Sequence, residues 1–158
     1  MNKIKNKGFL VTFEGIDGSG KSTQINMLKR KLVSKGCNVI STREPGGSVE
    51  AECIRKFLFS HKYKWDSISE LLLLLAARRE HYINTILPNI NKGNIIISDR
   101  FIDSTYAYQC EGKSISKELL DFITNKIIGD FAPNITFLMD IPTSKAYERI
   151  TSRIINNK

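Results

Sequence analysis

A short β-prone run followed by a glycine-rich turn and a helical pattern constrains the fold of this chain more than any other feature. The strand candidate spans 8–14, the turn 15–20 contains three glycines, and the helical pattern covers 21–35. Further strand candidates at 38–42, 94–98 and 135–140 are also separated by helices. This alternation predicts a parallel sheet with helices on both faces. We therefore expect a single α/β domain over 1–158, built as a three-layer sandwich.

The remaining helix candidates are 48–60, 67–91, 115–128 and 143–155. Gly36 and Gly93 follow two of the helices, where a left-handed cap is typical. Asp66 and Ser67 precede the apolar pattern of the long helix, and Glu70, three residues after Ser67, matches a capping box. The apolar run 71–77 is far too short to cross a bilayer, and it predicts a helix that is buried on most sides.

Composition and charge indicate a globular protein with an anionic ligand. Apolar residues make up 41% of the 158 residues, and the net charge is +8. That charge suits a nucleotide or a nucleic acid. The lysines are scattered, however, and no aromatic-interleaved basic patch stands out. The basic start of the chain is followed by an apolar run too brief for a signal peptide or a membrane span.

The cysteines and histidines predict free thiols and no structural zinc. The three cysteines are widely spaced, and neither histidine is paired with another residue in the manner of a metal site. We expect a reducing, cytoplasmic compartment. The residues concerned are Cys37, Cys53, Cys110, His61 and His81.

The turn itself matches the P-loop pattern, Gly15-x-x-x-x-Gly20-Lys21-Ser22, with a strand before it and a helix after it. Glycine allows successive N–H groups to point at one anion, and the helix adds its positive end. Lys21 would reach the β- and γ-phosphates, and Ser22 would offer a hydroxyl to Mg²⁺. The predicted ATP-binding residues are Gly15, Gly18, Ser19, Gly20, Lys21, Ser22 and Thr23.

Two strand candidates end in an acid that could help to hold the metal, Asp99 and Asp140. We favour Asp99, because Arg100 follows it and a cation there could hold a second phosphate. Asp140 is more typical of a strand-end or helix-capping acid. The predicted Mg²⁺ ligands are therefore Ser22 and Asp99.

Four motifs in order resemble those of the thymidylate kinase family, whose members phosphorylate dTMP. They are EGIDGSGKSTQ at the P-loop, TREPGGS at 42–48, AARRE at 76–80 and DRFIDSTYAYQ at 99–109. The resemblance covers about residues 8–153. It implies a P-loop nucleoside monophosphate kinase that uses ATP with Mg²⁺, acts on dTMP and forms a homodimer, without a nucleic-acid or membrane partner.

The resemblance also implies roles for particular side chains. Arg43 and Arg100, on loops at one edge of the predicted sheet, would hold the dTMP phosphate. Asp17 would bind the 3′-hydroxyl of the acceptor sugar, although its carboxylate could also simply cap the loop. The predicted catalytic set is Lys21, Asp17, Arg100, Asp99 and Arg153.

For the base, the family pattern assigns Arg78 to a thymine carbonyl and Tyr108 to the selection of deoxyribose. Arg79 is more typical of a solvated helix charge. Leu74 stands where many members have a phenylalanine that stacks on thymine, and leucine offers no π-face. The full predicted dTMP set is Asp17, Arg43, Leu74, Arg78, Arg100, Ser104, Thr105, Tyr108 and Gln109.

The end of the chain departs from the family pattern. An arginine-rich lid should follow Arg149 and Arg153, and a last strand and helix should then close the fold. Here the chain ends at Lys158. We interpret it as lacking the lid and the last strand and helix. Because Gly18 is small, the family pattern draws a catalytic arginine from the lid, and Arg153 could be the first lid arginine.

Three other functions remain open from the sequence. A deoxynucleoside kinase would share the P-loop, but the paired arginines favour an acceptor that already bears a phosphate. A guanine-nucleotide switch needs Asn-Lys-x-Asp, and Asn125-Lys126-Ile127-Ile128 fails at the last position. A basic nucleic-acid binder would be marked by salt-dependent DNA binding.

Overall fold

A computed structural model describes residues 7–156, with side chains through Arg153. The basic segment 1–6 and the terminal residues 157–158 lie outside the described residues. The expectations about the start of the chain and about its last residues therefore fall partly outside them as well. Among the described residues, no helix has the length and apolar character needed to cross a membrane.

The sheet has four parallel strands in the order β2-β3-β1-β4. They are β1 Phe9–Glu14, β2 Val39–Arg43, β3 Ile95–Asp99 and β4 Ile135–Leu138. The four predicted strands are confirmed, although β4 ends two residues earlier than predicted. The parallel pairing predicted from the alternation of strands and helices is also confirmed.

The strand register brings three strand ends to one level. Phe13 of β1 lies opposite Asp99 of β3, and Asp99 lies opposite Arg43 of β2. The loops that follow these strands therefore leave the sheet side by side. This carboxyl edge is where ligands bind in open α/β sheets.

The helices cover both faces of the sheet. They are α1 Lys21–Ser34, α2 Val49–Leu58, α3 Ser67–His81, α4 Leu87–Asn91, α5 Ile102–Thr105, α6 Lys117–Ile128 and α7 Thr143–Asn156. Adjacent strand residues point to opposite faces. Leu10 and Ile96 pack with Ile86 on one side, whereas Val11 and Ile97 pack with Ile25 of α1 on the other.

Two helical regions differ from the sequence expectations. The predicted helix 67–91 is interrupted by a π-helical turn over Tyr82–Ile86. Pro88 lies two residues after this turn. Proline lacks a backbone N–H and its ring crowds the preceding turn of a helix, and a wider π-helical turn accommodates both effects. The segment after β3, for which no helix was predicted, forms α5 and a second π-helical turn, Tyr106–Glu111.

The start of α3 corrects two further predictions. The N-cap is Asp66, whose Oδ1 accepts hydrogen bonds from the backbone N–H groups of Ile68 and Ser69, so the capping box at Ser67 was wrong. The run 71–77 is buried on one side only. Leu71 is fully buried, but Leu72 is 51% exposed because α3 presents one face to solvent.

Candidate active site

The glycine turn after β1 wraps around the amino group of Lys21. Gly18 and Gly20 have φ values of 81° and 100°, which residues with a Cβ rarely adopt. Lys21 is buried, and its Nζ donates to the carbonyl oxygens of Gly15 at 2.8 Å and Ile16 at 3.0 Å. Burial, followed by the charge of Arg100, lowers the pKa of Lys21. The ammonium group is therefore held at the turn, 3.8 Å from Oδ1 of Asp17.

A hydroxyl and a carboxylate meet beside this turn. Oγ of Ser22, in the first turn of α1, donates to Oδ2 of Asp99 at 3.4 Å. The other oxygen, Oδ1 of Asp99, is buried and has no hydrogen-bond partner within the described part of the chain, and the same holds for Oγ of Ser19. Unpaired buried oxygens of this kind fit a hard cation such as Mg²⁺. The described residues contain no group of three or more His, Cys, Asp or Glu side chains that could hold a metal alone.

Arg100 has a strained backbone and a fixed guanidinium. Its φ of 71° is unusual for a residue other than glycine. Nη2 donates to Oδ1 of Asp17 at 2.7 Å, and Nη1 donates to Oγ of Ser104 at 2.9 Å. Buried Glu14 anchors this loop by accepting hydrogen bonds from the N–H of Phe101 and the hydroxyl of Ser104. The guanidinium thus lies next to the glycine turn.

Two cavities adjoin at this edge of the sheet. The first has a volume of about 460 Å³ and the second about 420 Å³. Asp17, Glu44, Arg55 and Arg100 line both of them. A ligand in one cavity would therefore reach the boundary of the other.

Eight of the nine residues predicted to bind dTMP line the first cavity. Tyr108 is half exposed, with the Arg100 guanidinium 5.4 Å from its ring centroid. The eight residues are Asp17, Leu74, Arg78, Arg100, Ser104, Thr105, Tyr108 and Gln109. The ninth, Arg43, lies on the second cavity, and its guanidinium pairs with Glu52 at 3.0 Å.

The second cavity collects most of the predicted phosphate and metal residues. It is lined by Gly18, Gly20, Lys21, Ser22, Arg43, Asp99 and Arg153. Gly15, Ser19 and Thr23 do not line it: Gly15 contributes its carbonyl to Lys21, Ser19 is buried, and Thr23 is exposed on the first turn of α1. Asp140 lines neither cavity.

A buried ionic network lies behind the first cavity and centres on Glu44. Nε of Arg78 donates to Oε2 of Glu44 at 2.7 Å, and Nδ1 of His81 donates to Oε1 at 3.0 Å. Nε2 of His81 shares a hydrogen bond with the hydroxyl of Thr42 at 2.7 Å. Burial raises the pKa of Glu44, but the charge of Arg78 and the hydrogen bond from His81 outweigh it, so the pKa lies below its usual value.

This network leaves one free donor on Arg78. Nη2 donates to the carbonyl oxygen of Phe101 at 3.0 Å and to the hydroxyl of Thr105 at 2.8 Å. Among the described residues, the buried Nη1 has no hydrogen-bond partner. Since Nε and Nη2 fix the guanidinium plane, Nη1 is the donor that remains for a ligand in the first cavity.

Sequence reasoning missed several residues of this region. Glu44 entered the sequence analysis only as a letter of the motif TREPGGS, and His81 only as an unpaired histidine. The i,i+3 spacing of Arg78 and His81 on one helix face was the signal that could have linked them. Arg55, which lines both cavities and donates to the carbonyl oxygen of Pro45 at 2.7 Å, carries no comparable signal in the sequence.

The Glu44 network predicts a large and pH-dependent loss of stability in Glu44→Ala. The substitution leaves the buried guanidinium of Arg78 uncompensated, so we expect a loss of roughly 3–5 kcal/mol in the free energy of unfolding at pH 7. Because the pKa of Glu44 is lowered on folding, its contribution is present above the unfolded-state pKa of about 4.3 and is lost as pH falls through the folded-state value. The difference in the free energy of unfolding between the variant and the unmodified protein should therefore become smaller as the pH falls through this range.

Denaturant titration measures this effect, with Glu50→Ala as the matched control. Glu50 is exposed and accepts a hydrogen bond from Asn84 at 3.2 Å. Its replacement should cost under about 1 kcal/mol. Equal losses in the two variants would contradict the role given to Glu44.

Comparisons with known proteins identify the family of this chain. The sequence model of the thymidylate kinase family matches residues 13–158. The thymidylate kinase of Vesicomyosocius okutanii is 42% identical over 148 residues, which cover 93% of this chain and 72% of that protein. The thymidylate kinase of Sulfurihydrogenibium sp. is 44% identical over 148 residues, which cover 91% of this chain and 71% of that protein.

A solved structure gives the same result. The crystal structure of thymidylate kinase from Ehrlichia chaffeensis superposes with a TM-score of 0.79 at 42% identity, and the match covers 95% of this chain and 80% of that chain. The four-stranded parallel sheet with its flanking helices is thus the P-loop α/β fold of these enzymes. The match of the family model, the identity with curated thymidylate kinases and the shared fold place this chain in the thymidylate kinase family.

Proposed function

We propose that phosphoryl transfer from ATP to dTMP takes place where the two cavities meet, with ATP in the second cavity and dTMP in the first. The observation that carries this assignment is the shared wall formed by Asp17 and Arg100. Two nucleotides bound in this way would approach each other through their phosphates. Positioning of this kind is the main requirement for phosphoryl transfer.

The donor site consists of the turn 15–20 and the start of α1. Backbone N–H groups of the turn would bind the phosphates, and Lys21 would neutralise charge on the β- and γ-phosphates. Ser22 and Asp99 would hold Mg²⁺, since their oxygens lie together and one of them is unpaired. Mg²⁺ bound there would neutralise charge that develops on the phosphate oxygens.

The acceptor phosphate would lie against Arg100. An ionised phosphate oxygen of dTMP forms the new bond to the γ-phosphorus, the bond from that phosphorus to the β–γ bridging oxygen breaks, and ADP leaves with the electron pair. No general base is required. Arg43 is a second candidate for this phosphate, because its ion pair with Glu52 is exposed and exposed pairs are weak.

The base of dTMP would lie deeper in the first cavity. Nη1 of Arg78 would donate to the 4-carbonyl oxygen, with Leu74 covering the ring and Gln109 at its edge. Tyr108 would crowd the 2′ position of the sugar. Asp17 would exchange part of its ion pair with Arg100 for a hydrogen bond to the 3′-hydroxyl; its side chain is 79% exposed, so the exchange needs little rearrangement.

Two arginines of α7 face the donor site. Nη1 of Arg149 donates to the carbonyl oxygen of Gly18 at 3.3 Å, and Arg153 lines the second cavity. We assign Arg153 to the charge on the transferred phosphoryl group. Arg149 holds α7 against the turn.

An assay of ADP release tests the proposed reaction. With Mg²⁺ and ATP, we expect dTMP to accelerate release strongly, because it brings a phosphate to Arg100 and a 4-carbonyl to Arg78. Thymidine, which lacks the phosphate, and dCMP, which lacks the carbonyl, should be poor acceptors, and dUMP should be intermediate. Lys21→Met should abolish the activity. No acceleration by dTMP would contradict the proposal, and equal rates with thymidine would favour a nucleoside kinase.

We also infer that the chain forms a homodimer through an exposed apolar face of α2 and α3. Val49 and Phe57 of α2 and Ile68 and Leu72 of α3 are between 45% and 78% exposed. A cluster of exposed apolar side chains on two packed helices is typical of an interface. Sedimentation equilibrium should give twice the chain mass of 17.9 kDa, and Leu72→Asp should give the monomer mass; a monomer in the unmodified protein would contradict the inference.

A reducing, cytoplasmic compartment is part of the same proposal. All three cysteines are free thiols, and Cys53 is exposed. Such a thiol is kept reduced in the cytosol.

A further inference from the structure

The amide of Gln109 is held in one orientation at the wall of the first cavity. Gln109 lies in the π-helical turn Tyr106–Glu111, and only 2% of the residue is exposed. Its Nε2 donates to Oε1 of Glu70 at 2.8 Å. A carboxylate has only acceptor oxygens, so the amide must turn its NH₂ group toward Glu70. The carbonyl oxygen of Gln109 then faces away from Glu70, and among the described residues it receives no hydrogen bond.

Glu70 is itself fixed by a second donor. Nζ of Lys113 donates to Oε2 of Glu70 at 2.6 Å. Glu70 lies in the first turn of α3, where the helix dipole favours a negative charge. Lys113 and Gln109 therefore donate to the two oxygens of one carboxylate, and all three residues line the first cavity.

Two residues that line the first cavity therefore carry groups of opposite kind that are unpaired within the described chain, one a donor and the other an acceptor. Nη1 of Arg78 is the donor, and the carbonyl oxygen of Gln109 is the acceptor. A pyrimidine with a 4-carbonyl and an N3–H presents an acceptor beside a donor, which matches this pair. A 4-aminopyrimidine presents the reverse and would leave both protein groups unpaired, at a cost for each.

We propose that Glu70 is a positioning residue that sets the base specificity of the first cavity by fixing the amide of Gln109. This inference rests on the proposed binding of dTMP in that cavity. If Glu70 served only to stabilise the fold, its replacement would weaken the binding of all nucleotides by the same factor. A role in specificity instead changes the ratio between two bases.

Glu70→Gln tests the proposal sharply because the ammonium group of Lys113 is a donor only. The carbonyl oxygen of the introduced amide would turn toward Lys113, and the NH₂ group of that amide would then face Gln109. Gln109 would have to present its own carbonyl to this NH₂ group and its own NH₂ group to the cavity. The free acceptor would become a donor, which suits an unprotonated N3.

The experiment measures the dissociation constants of dTMP and 5-methyl-dCMP by titration calorimetry. These two nucleotides carry the same charge and the same methyl group. Any change in how the protein binds the phosphate therefore cancels in the ratio of the two dissociation constants. We expect Glu70→Gln to reduce the preference for dTMP by roughly ten- to a hundredfold. Glu80→Gln removes a carboxylate from the same helix, where it accepts from Asn84 at 2.9 Å, and should leave the ratio unchanged.

A double variant provides a further control. When Glu70→Gln is combined with Lys113→Met, the introduced amide can face Gln109 with either of its ends, so part of the preference for dTMP should return. An unchanged ratio in Glu70→Gln, with both affinities lowered equally, would overturn the role of Glu70 alone. Failure of the unmodified protein to bind dTMP would overturn the proposed function as well.

Discussion

The site depends on the hydrogen-bonded register of three parallel strands. Phe13, Asp99 and Arg43 lie at one level because β3 pairs with β1 on one side and β2 on the other. The glycine turn, the acid of the candidate metal site and the arginines all lie at or directly after these three strand ends. A slip of one residue would turn every strand side chain to the opposite face and would separate these groups.

Buried charge gives the site its rigidity. Glu44 replaces lost hydration with hydrogen bonds from Arg78 and His81, and Glu14 does the same with the loop that carries Arg100. Such networks fix side-chain positions because a partly paired buried charge is costly. The strained backbone of Arg100 persists under these constraints. Two arginines thus face the cavities in fixed orientations before any nucleotide binds.

Sequence and structure agree where local signals are strong. The strands, the glycine turn and the lining of the first cavity follow from β-branched runs, glycine spacing and an ordered set of motifs. The carboxylates that hold the cavity-lining side chains in place could not be predicted in the same way. Glu14 and Glu44 look like ordinary charges in the sequence, and Glu70 looks like part of a capping box. The pairing of all three depends on partners 34 to 90 residues away.

The helix errors have local physical causes. Asp66 displaced Ser67 as the N-cap because its two carboxylate oxygens reach both free backbone N–H groups and the hydroxyl of Ser69. The π-helical turns could not be predicted, since they depend on how Pro88 and the cavity wall are accommodated in three dimensions. One of these turns carries Gln109, the residue to which we assign a role in base recognition.

The affinity of a linked nucleotide tests the central claim, that two phosphate-binding cavities adjoin, most directly. Thymidine and adenosine joined through their 5′-oxygens by five phosphates would fill both cavities at once. We expect this linked nucleotide to bind at least about a hundredfold tighter than dTMP alone, because the second half binds at a high effective concentration. Binding no tighter than that of the better single nucleotide would show that the cavities do not hold two nucleotides end to end.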